Sequence, residues 1–284
     1  MSTANILTVD LEDWFHICGV EELIPETVWA QMESRVTVNT LKILDIFRQK
    51  MARATFFVLG FIAERHPGLI KEIQKAGHEI ATHGYAHRRV YTMTPRTFRQ
   101  DLRKAVAIIS EITDSPVKGY RAPEWSIRDD SLWALEILEQ EGFAYDSSMA
   151  PLPVIGNQAY DTTPHRLTVN EGELWEFPPL VARTALVNLP LGGGWGLRIF
   201  PYQLIRSAIR RLNDQGQPAL VYLHPRELDT NNPRIRLPLV KRFVLGARVE
   251  RTENRLDRLL DEFRFTSVLH VLEATKKRCR EDIS

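Results

Sequence analysis

Cysteine is scarce in this chain: Cys18 and Cys279 are its only two in 284 residues, far apart and without a metal-type CxxC spacing. That argues against a disulfide framework and leads us to expect free thiols in a reducing compartment. An excess of charge is also missing. The 37 Lys and Arg stand against 36 Asp and Glu, for a formal net charge of +1, so no basic field recruits nucleic acid or an anionic membrane. No apolar run approaches the length of a membrane span. The opening Met-Ser-Thr-Ala-Asn before Ile6 is too short and too uncharged for a signal peptide. A cytoplasmic protein without a transmembrane segment is the expectation.

What is present is apolar material in a regular rhythm. Hydrophobic residues make up 44% of the chain, enough for a full core, and an α/β barrel of roughly 250 residues often forms one domain. A single domain over residues 1–284 is therefore expected. Short β-branched runs alternate with stretches of helical period, the pattern of βα units and a parallel sheet. Strands are predicted at 6–10, 54–59, 79–82, 117–120, 143–145 and 219–223, and helices at 37–50, 67–77, 95–112, 130–141, 202–212 and 253–263. Thr37 or Asn39 offers a cap for the first helix, Pro67 suits a first helical position, and Gly77 and Gly142 suit helix ends. From 151 to 201 the rhythm fails in a segment rich in Pro, Gly, Trp and Thr, with only short strand-like pieces such as 174–177. It reads as an irregular insertion.

Five predicted strands end in residues suited to metal or proton chemistry: Asp10, His83, Arg121, Asp146 and His224. In a parallel β/α sheet all C-terminal strand ends face one rim, so residues distant in sequence converge there. His83 and His87, four apart just after a strand, can turn both imidazoles toward one divalent ion. Alone, such a pair also reads as two polar loop residues with local hydrogen bonds. Asp10-Leu11-Glu12-Asp13 offers three acids as a third, oxygen ligand, and alone it also reads as an acidic helix start.

Taken in order, Thr8-Val9-Asp10-Leu11-Glu12-Asp13-Trp14-Phe15, His83 to His87, Arg121-Ala122-Pro123, Tyr145-Asp146-Ser147-Ser148, Gly192-Gly193-Gly194-Trp195 and Leu223-His224-Pro225 resemble the polysaccharide deacetylases. The resemblance is to the NodB-homology class, carbohydrate esterase family four, and in particular to its exosortase-associated exopolysaccharide branch. It runs from residue 6 to about 275. It implies a distorted parallel (β/α) barrel of the NodB type, with the insertion before the last catalytic strand. It also implies metal-dependent removal of N-acetyl groups from amino sugars of a polysaccharide or of its lipid-linked or oligosaccharide precursor.

The same resemblance implies roles for residues. His83, His87 and one acid of the first motif would hold a divalent ion, zinc, with cobalt or nickel as alternatives. Asp10 would be the general base, and Arg121 would pair with it. His224 would protonate the leaving amine while Asp146 holds its ring. The family motif has two adjacent aspartates, whereas Leu11 follows Asp10 here; the acid ligand is expected to be Asp13, with Glu12 as the alternative. Arg226 stands where this branch tends to carry an aromatic residue. A carbohydrate substrate follows, with no nucleic acid and with association to a membrane-bound exopolysaccharide synthesis complex.

Trp14, Trp125 and Trp195 lie within or beside these motifs and could stack on sugar faces, although core packing is the commoner fate of tryptophan. Glu176, His66, His78, His165 and His270 belong to no motif. Two other functional readings remain: an amidase for a non-sugar amide or cyclic imide, and a carbohydrate-binding protein with a degenerate site.

Overall fold

The computed structural model describes residues 3–170, 172–233 and 236–281. Their strands are β1 (Asn5–Leu11), β2 (Thr55–Val58), β3 (Glu79–Thr82), β4 (Gly119–Tyr120), β5 (Tyr145–Asp146), β6 (His165–Val169), β7 (Gly172–Glu176), β8 (Val181–Ala182), β9 (Leu189–Pro190), β10 (Leu220–Leu223) and β11 (Phe265–Thr266). The helices are α1 (Val36–Gln49), α2 (Gly60–Arg65), α3 (Pro67–Lys75), α4 (Pro95–Thr113), α5 (Trp133–Gln140), α6 (Gly194–Ile199), α7 (Tyr202–Asp214), α8 (Leu239–Gly246), α9 (Thr252–Glu262) and α10 (Val268–Glu281).

The main sheet runs β10-β1-β2-β3-β4-β5-β7-β6, with β11 beside the start of β1. Its neighbours are parallel except in the β6–β7 hairpin. Helices intervene between most of the parallel strands, and the sheet curls into a half-barrel whose edges are β10 and β6. Within the segment 151–201 the strand-like piece expected at 174–177 is β7, which pairs in parallel with β5 and extends the sheet.

Alternation along β1 sets the interior. Leu7, Val9 and Leu11 face the helices on the outside and join one core with Ile43, Phe47, Ile70, Ile205 and Leu256. Each such fully buried side chain contributes about 1.5–3 kcal/mol. Ile6, Thr8 and Asp10 take the opposite parity. Ile6 packs inside the curl with Phe57, Ala81, Tyr145, Phe177 and, from α10, Val268 and Leu272. Apolar filling therefore occupies the lower interior, and polar side chains begin at Thr8 and continue upward to the rim.

His78 lies in the outer core at the start of β3. Its Nδ1 accepts from the Ala54 backbone N–H at 3.2 Å, and its ring meets Phe47 and Phe56. Burial pushes its pKa down to about 4, with Arg53 adding to the effect. The unfolded chain then binds a proton below about 6.5 that the folded chain refuses, so this group's contribution is complete above pH 6.5 and is lost as pH falls toward 4. Denaturant midpoints measured across this range are expected to fall more steeply for wild type than for His78→Gln. Parallel curves would contradict this.

Candidate active site

The rim is built from the residues that follow the strands. β3 stops at Thr82 because the next residues leave the ladder: His83 is followed by Gly84 at φ +76°, a conformation glycine adopts without strain. The Asp101 carboxylate of α4 accepts from the backbone N–H groups of Tyr85 (2.7 Å) and Ala86 (3.3 Å) and pins this loop. His87 closes it at φ +51°, a left-handed conformation that a non-glycine residue adopts at a cost of roughly 1–2 kcal/mol and that is common where function over-determines the backbone.

Glu12, His83 and His87 converge. One ligand atom from each lies within 4.8 Å of the others, and all three residues are buried. His83 Nδ1 sits 2.7 Å from the Arg121 carbonyl, to which an Nδ1–H donates, leaving Nε2 for the site. His87 Nδ1 faces Cys18 Sγ at 3.4 Å, and its Nε2 lies 2.6 Å from Glu12 Oε2. That carboxylate oxygen has no partner other than His87 among the described residues. Two imidazole nitrogens backed by second partners, with a buried carboxylate beside them, are the donor set of a zinc-like divalent ion.

The electrostatics agree. Burial is the largest influence and pushes His83 down to about 4, which keeps a lone pair on Nε2 at neutral pH. Burial acts the same way on His87 but is outweighed by Cys18 and Glu12, which raise it well above the ordinary range. Glu12 is held well below the usual carboxylate range; burial opposes this, and His87, Arg226 and His224 outweigh it. These neighbours keep Glu12 ionised.

Asp13 corrects the expected ligand choice. Its carboxylate turns away from the histidines and accepts from Ser34 Oγ (2.5 Å) and from the backbone N–H groups of Arg35 (3.0 Å) and Val36 (3.3 Å). It caps α1 from outside the helix, the task expected of Thr37 or Asn39, and no side chain at the N-cap position does so. Parity explains the exchange: Glu12 stays on the side of Asp10, facing the interior, and Asp13 falls on the other.

Asp10 and His224 face one another across the same space. Arg121, fully buried, donates from Nη1 to Asp10 Oδ1 (2.7 Å) and Thr8 Oγ1 (2.7 Å), and from Nη2 to Ser147 Oγ (2.8 Å). Asp10 Oδ2 is left toward His224 Nε2 at 3.8 Å, and Glu12 Oε1 lies 3.5 Å from the same nitrogen. Arg226 Nη2 reaches Glu12 Oε1 at 3.3 Å, so this arginine belongs to the site.

Asp146 does not hold the His224 ring. The carboxylate opposite Nδ1 is Glu227, with Oε2 at 3.4 Å; the same oxygen accepts from the His224 backbone N–H at 3.1 Å. Glu227 pairs with the buried Arg198 at 2.9 Å. Burial raises Glu227, but Arg198 and His224 outweigh it and hold it at about 2. Asp146 instead lies in register with Glu176 of β7. Burial raises both carboxyls, Asp146 to about 6 and Glu176 further, so the pair retains a proton. Asp146 accepts from Ser148 Oγ at 2.5 Å, and Ser148 Oγ accepts from the Ala122 N–H. Its influence on the rim therefore passes through the segment that carries Arg121.

The tryptophans divide. Trp14 is buried in the outer core, edge-on to Phe15, with Nε1–H donating to the Glu33 carbonyl; it is packing, not a sugar platform. Trp125 borders the site, with the Arg121 guanidinium 4.9 Å from its ring centroid and Tyr222 edge-on at 4.3 Å. Its buried Nε1 has no acceptor among the described residues. Trp195 is half-buried on α6 against Phe200. Beside His87 a cavity of about 330 Å³ is lined by Cys18, Trp29, Arg88 and Arg89 among others.

Glu227 was legible in principle: His224-Pro225-Arg226-Glu227 has the spacing of a reciprocal cap with proline at the first helical position. Cys18 and Glu176 carried no such signal, because only the fold brings them to His87 and Asp146.

Comparison with known proteins adds relatives. Residues 25–143 match the polysaccharide deacetylase family model, and residues 147–273 match a domain of unknown function (DUF3473). The first span contains His83, His87 and Arg121, and the second contains His224 and Glu227. A peptidoglycan deacetylase of Helicobacter pylori is 33% identical over 112 residues, 39% of this chain and 37% of that protein. A peptidoglycan-N-acetylglucosamine deacetylase of Bacillus cereus is 35% identical over 98 residues, 34% of this chain and 36% of that protein. The chain thus spans little more than a third of these curated relatives. Across the fold, the crystal structure of a putative polysaccharide deacetylase from Mycobacterium smegmatis superposes with a TM-score of 0.69 at 22% identity, covering 98% of this chain and 91% of that one. Residues 25–143 of the chain thus match the polysaccharide deacetylase family, and the whole chain shares its fold with a solved structure of that description.

Proposed function

We propose that this protein is a divalent-metal-dependent N-deacetylase. Its substrate is an N-acetylated amino sugar in a polysaccharide or in the lipid-linked or oligosaccharide precursor of one, as in the exopolysaccharide branch it resembles. One observation carries the reading: Asp10 Oδ2 and Glu12 Oε1 both face His224 Nε2, at 3.8 and 3.5 Å, directly beside the donor cluster of Glu12, His83 and His87. The names of the Helicobacter and Bacillus relatives support it.

Glu12, His83 and His87 would hold the ion, with zinc favoured by the two imidazoles and one carboxylate. Bound there, such an ion supplies Lewis acidity toward an amide oxygen and makes water more acidic. Asp10 Oδ2, the oxygen that Arg121 leaves free, accepts the proton of the attacking water. His224 Nε2, on the far side of the gap, delivers a proton to the departing amine. Glu227 orients the His224 ring by facing Nδ1, and Arg198 fixes Glu227. The cytoplasm, beside a membrane-bound synthesis complex, is the proposed working place.

The test is acetate release from N-acetylglucosamine oligomers. Activity is expected to vanish with a chelator and to return with zinc; full activity after complete metal removal would overturn the reading.

Glu227→Gln is expected to lower kcat roughly 10- to 100-fold, the size typical of a group that orients another, with KM and bound metal unchanged. Because it leaves Arg198 unpaired in the interior, the companion is Glu227→Asp, which keeps the charge and should recover part of kcat. Steady-state kinetics with metal analysis check this, and an unchanged kcat for Glu227→Gln would remove Glu227 from the mechanism.

A further inference from the structure

The near-zero net charge of the whole chain hides a local imbalance. Residues 230–249 contain five Lys and Arg and no Asp or Glu. α8 lies within this stretch, and none of its residues is buried. Leu239, Val240 and Phe243 are 73%, 74% and 54% exposed. At 100° per residue these three fall on one side of the helix, bordered by Arg242 and Val244, while Lys241 and Leu245 fall on the other. That inner side is tied down. Lys241 donates to the Cys18 carbonyl, and the Arg198 guanidinium donates to the carbonyls of Val244 and Leu245.

From these observations we infer that α8 docks the protein on an anionic lipid surface, its outer apolar side entering the headgroup region and Arg242, Arg248 and Arg236 meeting lipid phosphates. A short helix with an apolar outer side framed by cations has the chemistry of an interfacial element. Charge selects the occupant. A second copy would bring Arg236, Arg242 and Arg248 against the same three cations, whereas an anionic bilayer supplies the opposite sign over a flat area. Arg242 and Arg248 form no ion pair among the described residues and are free for this contact.

Docking here also places the rim at the lipid surface. Cys18, whose carbonyl holds Lys241, touches His87; Arg198, which holds the end of α8, pairs with Glu227 beside His224. The helix is thus braced near its start and at its end by residues that back the candidate site. The inference stands on the exposed helix and its charge and does not depend on the reaction catalysed.

The experiment uses the whole chain with vesicles of phosphatidylcholine, alone or mixed with phosphatidylglycerol. Co-sedimentation is expected only with the mixed vesicles and is expected to weaken with salt. Arg242→Gln with Arg248→Gln should bind roughly 30-fold more weakly, the effect of removing two cations near such a surface. Leu239→Ser, Val240→Ser and Phe243→Ser together should abolish binding while leaving circular dichroism and thermal melting unchanged. Phe243→Trp keeps the apolar character and adds a reporter; its emission should be quenched by brominated acyl chains beyond the quenching seen in wild type. Absence of vesicle binding by wild type, or equal binding by the triple-serine variant, would overturn the proposal. So would a wild-type dimer in sedimentation velocity that the triple-serine variant converts to monomer, because the face would then be an interface between copies.

Discussion

Glu12→Ala is expected to abolish metal loading, and Asp13→Ala to leave it intact. The two acids are neighbours in sequence with opposite orientations, so the pair of variants separates binding from folding. Removing Glu12 deletes the carboxylate oxygen that lies 2.6 Å from His87 Nε2. Loss of a direct ligand should exceed the 10- to 100-fold weakening typical of losing an outer partner, so a drop in zinc affinity of more than about 100-fold is expected. Acetate release should fall in parallel. Removing Asp13 strips the cap from α1 and leaves the Ser34 hydroxyl and the Arg35 and Val36 N–H groups without their acceptor. That loss should cost about 1–2 kcal/mol and lower the melting temperature by several degrees, because each kcal/mol shifts a domain of this size by roughly 2–4 °C. Metal titration followed by thermal melting reads both effects. The opposite pattern would restore Asp13 as the ligand.

The second large effect is expected at Asp10. Asp10→Asn keeps an oxygen for Arg121 Nη1 and nearly the same volume, so the fully buried guanidinium retains its hydrogen bonds to Thr8, Ser147 and residue 10. What it removes is the capacity of Oδ2 to take a proton. A fall in kcat of roughly 100- to 10,000-fold is expected, the span associated with general base catalysis, with metal content unchanged. Equal rates in wild type and Asp10→Asn would leave the carbohydrate-binding reading ahead of every catalytic one.

Regular βα alternation was legible where strands are apolar and four or more residues long. Glu79–Thr82 is predicted to the residue, and the helix at 95–112 is observed at 95–113. The strand ends likewise place Asp10, His83, Arg121, Asp146 and His224 on one rim. Legibility failed where an element or a contact depends on its neighbours. β5 and β7 are held by each other, and β7 lay within what read as an insertion. The cap of α1 comes from Asp13, more than twenty residues upstream. Trp14, read as a candidate sugar platform from its place in a motif, is enclosed by outer core residues whose approach no local pattern records.

By itself the sequence determined the alternation of strands and helices, the resemblance to a family, and the chemical types gathered at the rim, because hydrophobic period and motif order are local properties of a chain. Only the tertiary structure decided which carboxylate serves which partner: Glu12 with the histidines, Asp13 with α1, Glu227 with His224, and Asp146 with Glu176. Those choices depend on which way a side chain points and on what lies a few ångströms away through space, and neither distance nor direction between remote strands is written in the order of residues.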